Sequence, residues 1–127
     1  MRAKILNASA GSGKTYQLAY KYVRDVIDQP GLYRHILAVT FTNKATEEMK
    51  SRILKEIHRL ASGGASPYLG NLCRELSLDE RSVRKRAAEV RSKILHDYSR
   101  FTVLTIDTFF QRILRAFIKE LGIDLNY

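Results

Sequence analysis

Only one cysteine, Cys73, occurs in the 127 residues, so no internal disulfide can form and a reducing cytoplasm is the expected home. Cys73 sits among Leu69, Leu72 and Leu76, a setting that suits packing better than chemistry. No run of about 18 apolar residues occurs, so no membrane-spanning helix is expected. The opening Met1-Arg2-Ala3-Lys4-Ile5-Leu6-Asn7 lacks the long apolar stretch of a secretory leader. His35, His58 and His96 are widely separated and hold no zinc-ligand spacing. There is no internal repeat and no low-complexity tract. Acidic residues are scarce as well: 13 Asp and Glu stand against 22 Lys and Arg, for a formal net charge of +9. That excess suits a polyanionic partner such as nucleic acid, and it equally describes solubilising surface. Seven Tyr and five Phe, several beside basic residues, permit base stacking without requiring it.

What is present is concentrated near the start. Ala8-Ser9-Ala10-Gly11-Ser12-Gly13-Lys14-Thr15 follows a strand candidate, Ala3-Lys4-Ile5-Leu6, and precedes an amphipathic helical pattern. In that context successive backbone N–H groups, at the positive end of a helix, surround a phosphate chain. Lys14 would reach the β/γ-phosphates of ATP, and the Thr15 hydroxyl would ligate Mg²⁺. Ala8 stands where glycine is usual, which is tolerable while its φ stays negative. The alternative is an ordinary Gly/Ser turn between strand and helix; Lys14 and Thr15 in register favour nucleotide binding.

The length suits one domain with a genuine core. A helix is expected over Gly13–Asp28, burying Leu18, Ala19, Tyr22, Val23, Val26 and Ile27, and Pro30-Gly31 stops it. Ile36–Phe41 reads as a strand buried on both faces of a parallel sheet. A second helix over Asn43–Ala61 buries Ala45, Met49, Ile53, Ile57 and Leu60, with Glu47 and Glu48 complementing its dipole. Ser62-Gly63-Gly64-Ala65-Ser66-Pro67 reads as a linker. A short helix over Tyr68–Leu76 and a longer one over Asp79–Asp97 follow, the latter turning Val83, Ala87, Val90 and Ile94 inward. Its outer face carries Arg81, Arg84, Lys85, Arg86, Arg91 and Lys93, which line a DNA track or simply solvate the helix. Phe101–Ile106 is a third strand. Thr108 with Gln111 forms a capping-box pair for a last helix that stacks Phe110, Ile113, Leu114, Phe117, Ile118 and Leu121 on one side and ends at Gly122. This order predicts an α/β fold: a parallel sheet flanked by helices, with a helical insert.

Three segments resemble known motifs. Residues 8–15 resemble motif I of superfamily-one DNA helicases of the UvrD type. Ala38-Val39-Thr40-Phe41-Thr42-Asn43-Lys44-Ala45-Thr46-Glu47-Glu48-Met49 is similar to their motif Ia. Thr105-Ile106-Asp107-Thr108-Phe109-Phe110-Gln111-Arg112-Ile113-Leu114 is similar to the following motif Ic segment. The Ala-Ser-Ala loop and the long insert resemble the RecB/AddA helicase–nuclease branch, of the exonuclease V type. The resemblance implies that residues 1–127 are the N-terminal part of the first RecA-like (1A) P-loop NTPase domain, with 62–98 as its helical insert. It implies a translocase in DNA repair or recombination that uses ATP and Mg²⁺ to move 3′→5′ along single-stranded DNA, loading on single strands or duplex ends. Phe41, Thr42, Asn43 and Thr105 would contact the DNA, and Tyr16 or Gln17 the nucleotide base. For Phe41 the residues alone equally allow core packing; for Thr42 and Asn43 they allow helix capping, and one residue can do both.

Two departures stand out. Asp107 occupies a position where the family usually has histidine, and an acid there would repel phosphate; it could cap the helix instead. Too few residues precede Ala8 for the upstream glutamine motif of many relatives. The family's Asp-Glu magnesium motif and its second RecA-like domain with arginine fingers are also missing from these residues. The chain is therefore expected to be a piece of a larger helicase, inactive alone. Its expected partners are the remainder of that protein, a second subunit of helicase–nuclease type and, through an open sheet edge, another copy of itself. Two rivals differ in class. A complete small phosphotransferase would use Asp107 as magnesium ligand at the end of Val103-Leu104-Thr105-Ile106. A nucleic-acid-binding module would rest on charge alone and ignore Lys14.

Overall fold

The computed structural model describes residues 4–8 and 12–122, with side chains from Tyr16 onward. Its elements in chain order are β1 (Lys4–Ala8), α1 (Ser12–Asp28), a 3₁₀ turn (Pro30–Arg34), β2 (Ile36–Thr40), α2 (Asn43–Ser62), α3 (Leu69–Leu76), α4 (Glu80–His96), a second 3₁₀ turn (Tyr98–Arg100), β3 (Thr102–Thr105) and α5 (Ile106–Glu120). The strands form one parallel sheet in the order β1-β2-β3. Register runs from Lys4 opposite Ile36 to Ala8 opposite Thr40, and from Leu37 opposite Thr102 to Thr40 opposite Thr105. The central strand β2 buries Ile36, Ala38, Val39 and Thr40, as a strand covered on both faces must. Among the described residues β1 and β3 are the open edges.

One apolar cluster joins the helices to the sheet. It takes Ala19, Tyr22, Val23, Val26 and Ile27 from α1, Met49, Ile53, Ile57 and Leu60 from α2, and Val83, Ala87, Val90 and Ile94 from α4. These are the stripes that the 3.6-residue period predicts. α3, through Leu72, and α4 thus share the core of the sheet. Truncating a buried isoleucine there, such as Ile53, to alanine costs about 2–5 kcal/mol. Cys73 packs against the same cluster from α3.

Several expectations need correction. β1 ends at Ala8, two residues beyond the expected Leu6, because parallel pairing with β2 continues to Thr40. α2 runs through Ser62, where a linker was expected, and left-handed Gly63 (φ 83°) closes it by donating its N–H to the Arg59 carbonyl. The last helix is not capped by Thr108. Thr105, extended at φ −72° and ψ 157°, is the N-cap; its hydroxyl oxygen accepts the Thr108 N–H, so Thr108 already lies inside α5. Asp107 is likewise in the first turn and does not cap. The expected apolar stripe of α5 exists, but Phe110, Ile113, Leu114, Phe117 and Leu121 are exposed, and α5 buries no residue. Periodicity reveals a face and not what covers it.

The basic face of α4 also differs. Arg84 donates from Nη1 to the carbonyls of Leu60 at 3.1 Å and Gly64 at 3.0 Å, and Arg86 donates to those of Asp28 at 3.0 Å and Ile27 at 3.3 Å. Both arginines satisfy orphan carbonyls where α2 and α1 end, the negative ends of those helices. Their guanidinium groups thus do more than solvate α4: each is engaged at the end of a neighbouring helix. Arg91 is turned to His58, with Nη1 3.2 Å from Nδ1.

Candidate functional site

Parallel register brings Ala8, Thr40 and Thr105 side by side at the carboxyl edge of the sheet. Just past each strand a helix begins: α1 at Ser12, α2 at Asn43 and α5 at Ile106. Three positive helix ends therefore converge on one edge, the place where open parallel sheets bind ligands and where anions find free N–H groups.

The described ends of the expected phosphate loop lie at this edge. Ala8 ends β1, and Ser12, Gly13, Lys14 and Thr15 form the first turn of α1. Ser9, Ala10 and Gly11, and the side chains of Lys14 and Thr15, lie outside what is described. A 17-residue helix starting so close to the end of a parallel strand fits a polyphosphate, and an ammonium and a hydroxyl in its first turn are the donors that ATP and Mg²⁺ call for. Among the described residues no group of three or more His, Cys, Asp or Glu is placed to hold a metal ion.

The second segment is built on hydroxyls. Thr42, extended at φ −132° and ψ 158°, caps α2: its Oγ1 accepts the Ala45 N–H at 3.0 Å. Buried Thr40 and Thr46 hold their hydroxyls 2.5 Å apart, and the Thr42 carbonyl lies 3.2 Å from the first and 3.1 Å from the second. The turn from β2 into α2 is thereby held from both sides. Phe41, in that turn, is 50% exposed, which removes the core-packing alternative for it. Asn43 is the exposed first residue of α2. Thr105, half-buried, caps α5, and its hydroxyl also lies 3.0 Å from the Thr108 hydroxyl. Asp107 is exposed beside it.

Tyr16, one residue past the loop, is 36% exposed and held from two sides. The Arg52 guanidinium carbon lies 5.5 Å from its ring centroid. Tyr68 meets the same ring edge-on, centroids 5.0 Å apart and planes at 70°, and its phenol donates to the Tyr16 carbonyl at 3.0 Å. Burial pushes the Tyr68 phenol well above the usual tyrosine pKa, so it stays a donor. Behind these groups lies Glu56, whose carboxylate is fully buried and 3.4 Å from Nη1 of both Arg52 and Arg59. Sequence reading missed Tyr68, Arg52 and Glu56. The one available signal was Glu56 itself, a carboxylate set on the apolar stripe between Ile53 and Ile57.

Residues 2–127 match the UvrD/REP helicase N-terminal domain. The chain belongs to that family. The RecBCD enzyme subunit RecB of Escherichia coli K12 is 31% identical to it, covering 94% of this chain and 11% of that protein. RecB of Haemophilus influenzae is 30% identical over 96% of this chain and 11% of its own length. The exonuclease/helicase subunit RexA of Lactococcus lactis MG1363 is 28% identical over 97% of this chain and 9% of its own. The chain thus spans about a tenth of the length of these relatives. No solved structure matches it significantly. As a UvrD/REP helicase N-terminal domain, its parallel sheet flanked by helices is a partial RecA-like fold. No helix among the described residues is long and apolar enough to cross a membrane.

Proposed function

We propose that residues 1–127 are the ATP-binding N-terminal part of the first RecA-like domain of a cytoplasmic DNA helicase or helicase–nuclease, with 62–98 as its helical insert. The parent couples ATP hydrolysis to movement on single-stranded DNA in repair or recombination. One observation carries the reading: Ala8, Thr40 and Thr105 end their strands in register, so all three helicase-like segments meet at one edge under three helix N-termini. Ala8 to Thr15 hold the triphosphate, Lys14 neutralises its terminal charges, Thr15 ligates Mg²⁺, and Tyr16 touches the base. Phe41 stacks on a DNA base, while Thr42, Asn43 and Thr105 face the DNA backbone.

The partners follow from the same reading. Single strands or duplex ends occupy the carboxyl edge, the rest of the helicase supplies a second RecA-like domain, and a second helicase–nuclease subunit joins it. The β1 and β3 edges, open among the described residues, invite self-association of this chain. Alone it lacks the arginine finger, a group worth about 10³–10⁵ in rate, so it binds ATP without useful turnover. The test is titration of a non-hydrolysable ATP analogue, with and without Mg²⁺, against the 127-residue chain and its Lys14→Ala variant. Binding that needs Lys14 and strengthens with Mg²⁺ is expected. Uptake indifferent to Lys14 overturns the phosphate loop, and steady DNA-stimulated ATPase of the chain alone overturns its inactivity.

A further inference from the structure

We propose that Glu56 and Tyr68 are positioning residues for Tyr16, through which the insert sets how tightly a nucleotide base is held, a step that rests on the phosphate-loop reading above. Tyr16 follows Thr15 directly, so its ring stands just beyond the loop that would hold the phosphates. Two supports meet on it, and both start from one carboxylate. Along the first, Glu56 Oε2 lies 3.4 Å from Arg52 Nη1, and the Arg52 guanidinium carbon lies 5.5 Å from the Tyr16 ring centroid. Along the second, the Ser66 hydroxyl donates to Glu56 Oε1 at 3.2 Å while accepting the Tyr68 N–H at 3.2 Å. Tyr68, 1% exposed, then packs its ring on Tyr16 in a T-shaped contact and donates its phenol to the Tyr16 carbonyl.

The chemistry of Glu56 argues for this use. A leucine or isoleucine would fill its place on the buried stripe of α2 without desolvating a charge, and buried ion pairs are weak stabilisers compared with such a replacement. What an apolar residue could not do is hold a guanidinium on one side and the start of the insert on the other. The planar Arg52 group, held by Glu56 on α2 itself, is a rigid backing for an aromatic ring. The Tyr68 hydrogen bond holds the Tyr16 carbonyl in the second turn of α1, the backbone from which the Tyr16 ring projects.

The experiment compares two ligands on the 127-residue chain: a non-hydrolysable ATP analogue with Mg²⁺, and inorganic tripolyphosphate, which has no base. Tyr68→Phe deletes one hydroxyl and keeps the ring. It is expected to weaken the ATP analogue by about 3- to 10-fold and tripolyphosphate by less than about twofold. Glu56→Gln should act in the same sense and more strongly. In a Tyr16→Leu background neither substitution should have a further effect on ATP. Equal loss for both ligands, an unchanged ratio, or losses that persist in the Tyr16→Leu background overturn the assignment. If Glu56→Gln does not fold, Tyr68→Phe decides alone. Absence of Lys14-dependent uptake of either ligand by the unsubstituted chain is a different result: it removes the phosphate loop and this inference with it.

Discussion

Thr40 and Thr46 place their hydroxyl oxygens 2.5 Å apart, one at the end of β2 and the other in the first turn of α2. Each hydroxyl has one proton and both lie near the Thr42 carbonyl, so one donates to that carbonyl and the other to its neighbour. Thr46→Val should cost about 1 kcal/mol, because the Thr40 hydroxyl keeps an alternative acceptor. The Thr40→Val/Thr46→Val pair should cost less than the sum of the single losses, as read by denaturant titration.

Phe41→Ala separates stability from binding. With its ring half exposed, its removal should change stability by no more than about 0.5 kcal/mol, whereas a core phenylalanine would cost about 3–5 kcal/mol. Affinity for single-stranded DNA should fall by about 5- to 150-fold, the worth of one base–aromatic stack. Thermal melting and fluorescence anisotropy measure the two quantities. An unchanged DNA affinity would leave Phe41 without a role at this edge.

Arg84 and Arg86 report on the basic helix. Arg84→Met strands carbonyls at the end of α2 and should destabilise the chain by about 1–3 kcal/mol, with Arg86→Met doing the same at the end of α1. Neither should alter the salt dependence of single-strand binding. A phosphate-contacting arginine would instead lower the log–log slope by about 0.7 on substitution.

Asp79 gives the acid limb its shape. Its carboxylate accepts the Ser82 N–H at 2.8 Å as the N-cap of α4, and hydrogen bonds from the Ser82 side chain and backbone hold its pKa below the usual aspartate value of 3.8. A folded-state pKa below the unfolded one adds stability that is fully present above pH 3.8 and is lost as pH falls through the lowered value. Asp79→Ala should lower the melting temperature near neutrality and flatten its dependence on pH in that acid window. A parallel shift of the whole curve would contradict the linkage.

Much of the scaffold was legible in the order of residues. The stripes of α1, α2 and α4 follow from apolar spacing, and the expected role of Thr42 at the head of α2 follows from a short oxygen-bearing side chain before a helical pattern. The cap of α5 was misplaced because Thr105 and Thr108 are equally good caps by type, and only the point where β3 stops pairing chooses between them. Arg84 and Arg86 read as surface because the carbonyls they serve lie in α2 and α1, far away along the chain.

Local preference alone determined where helices and strands form, since turn residues and apolar periods act over a few neighbours. The order of residues also puts an ammonium and a hydroxyl just after a Gly/Ser-rich segment near the start. Only the tertiary structure decided that Ala8, Thr40 and Thr105 share an edge, that Glu56 stands behind Tyr16, and that the apolar face of α5 is exposed. These depend on pairing and packing between distant segments, whose energies are realised only when the whole core closes.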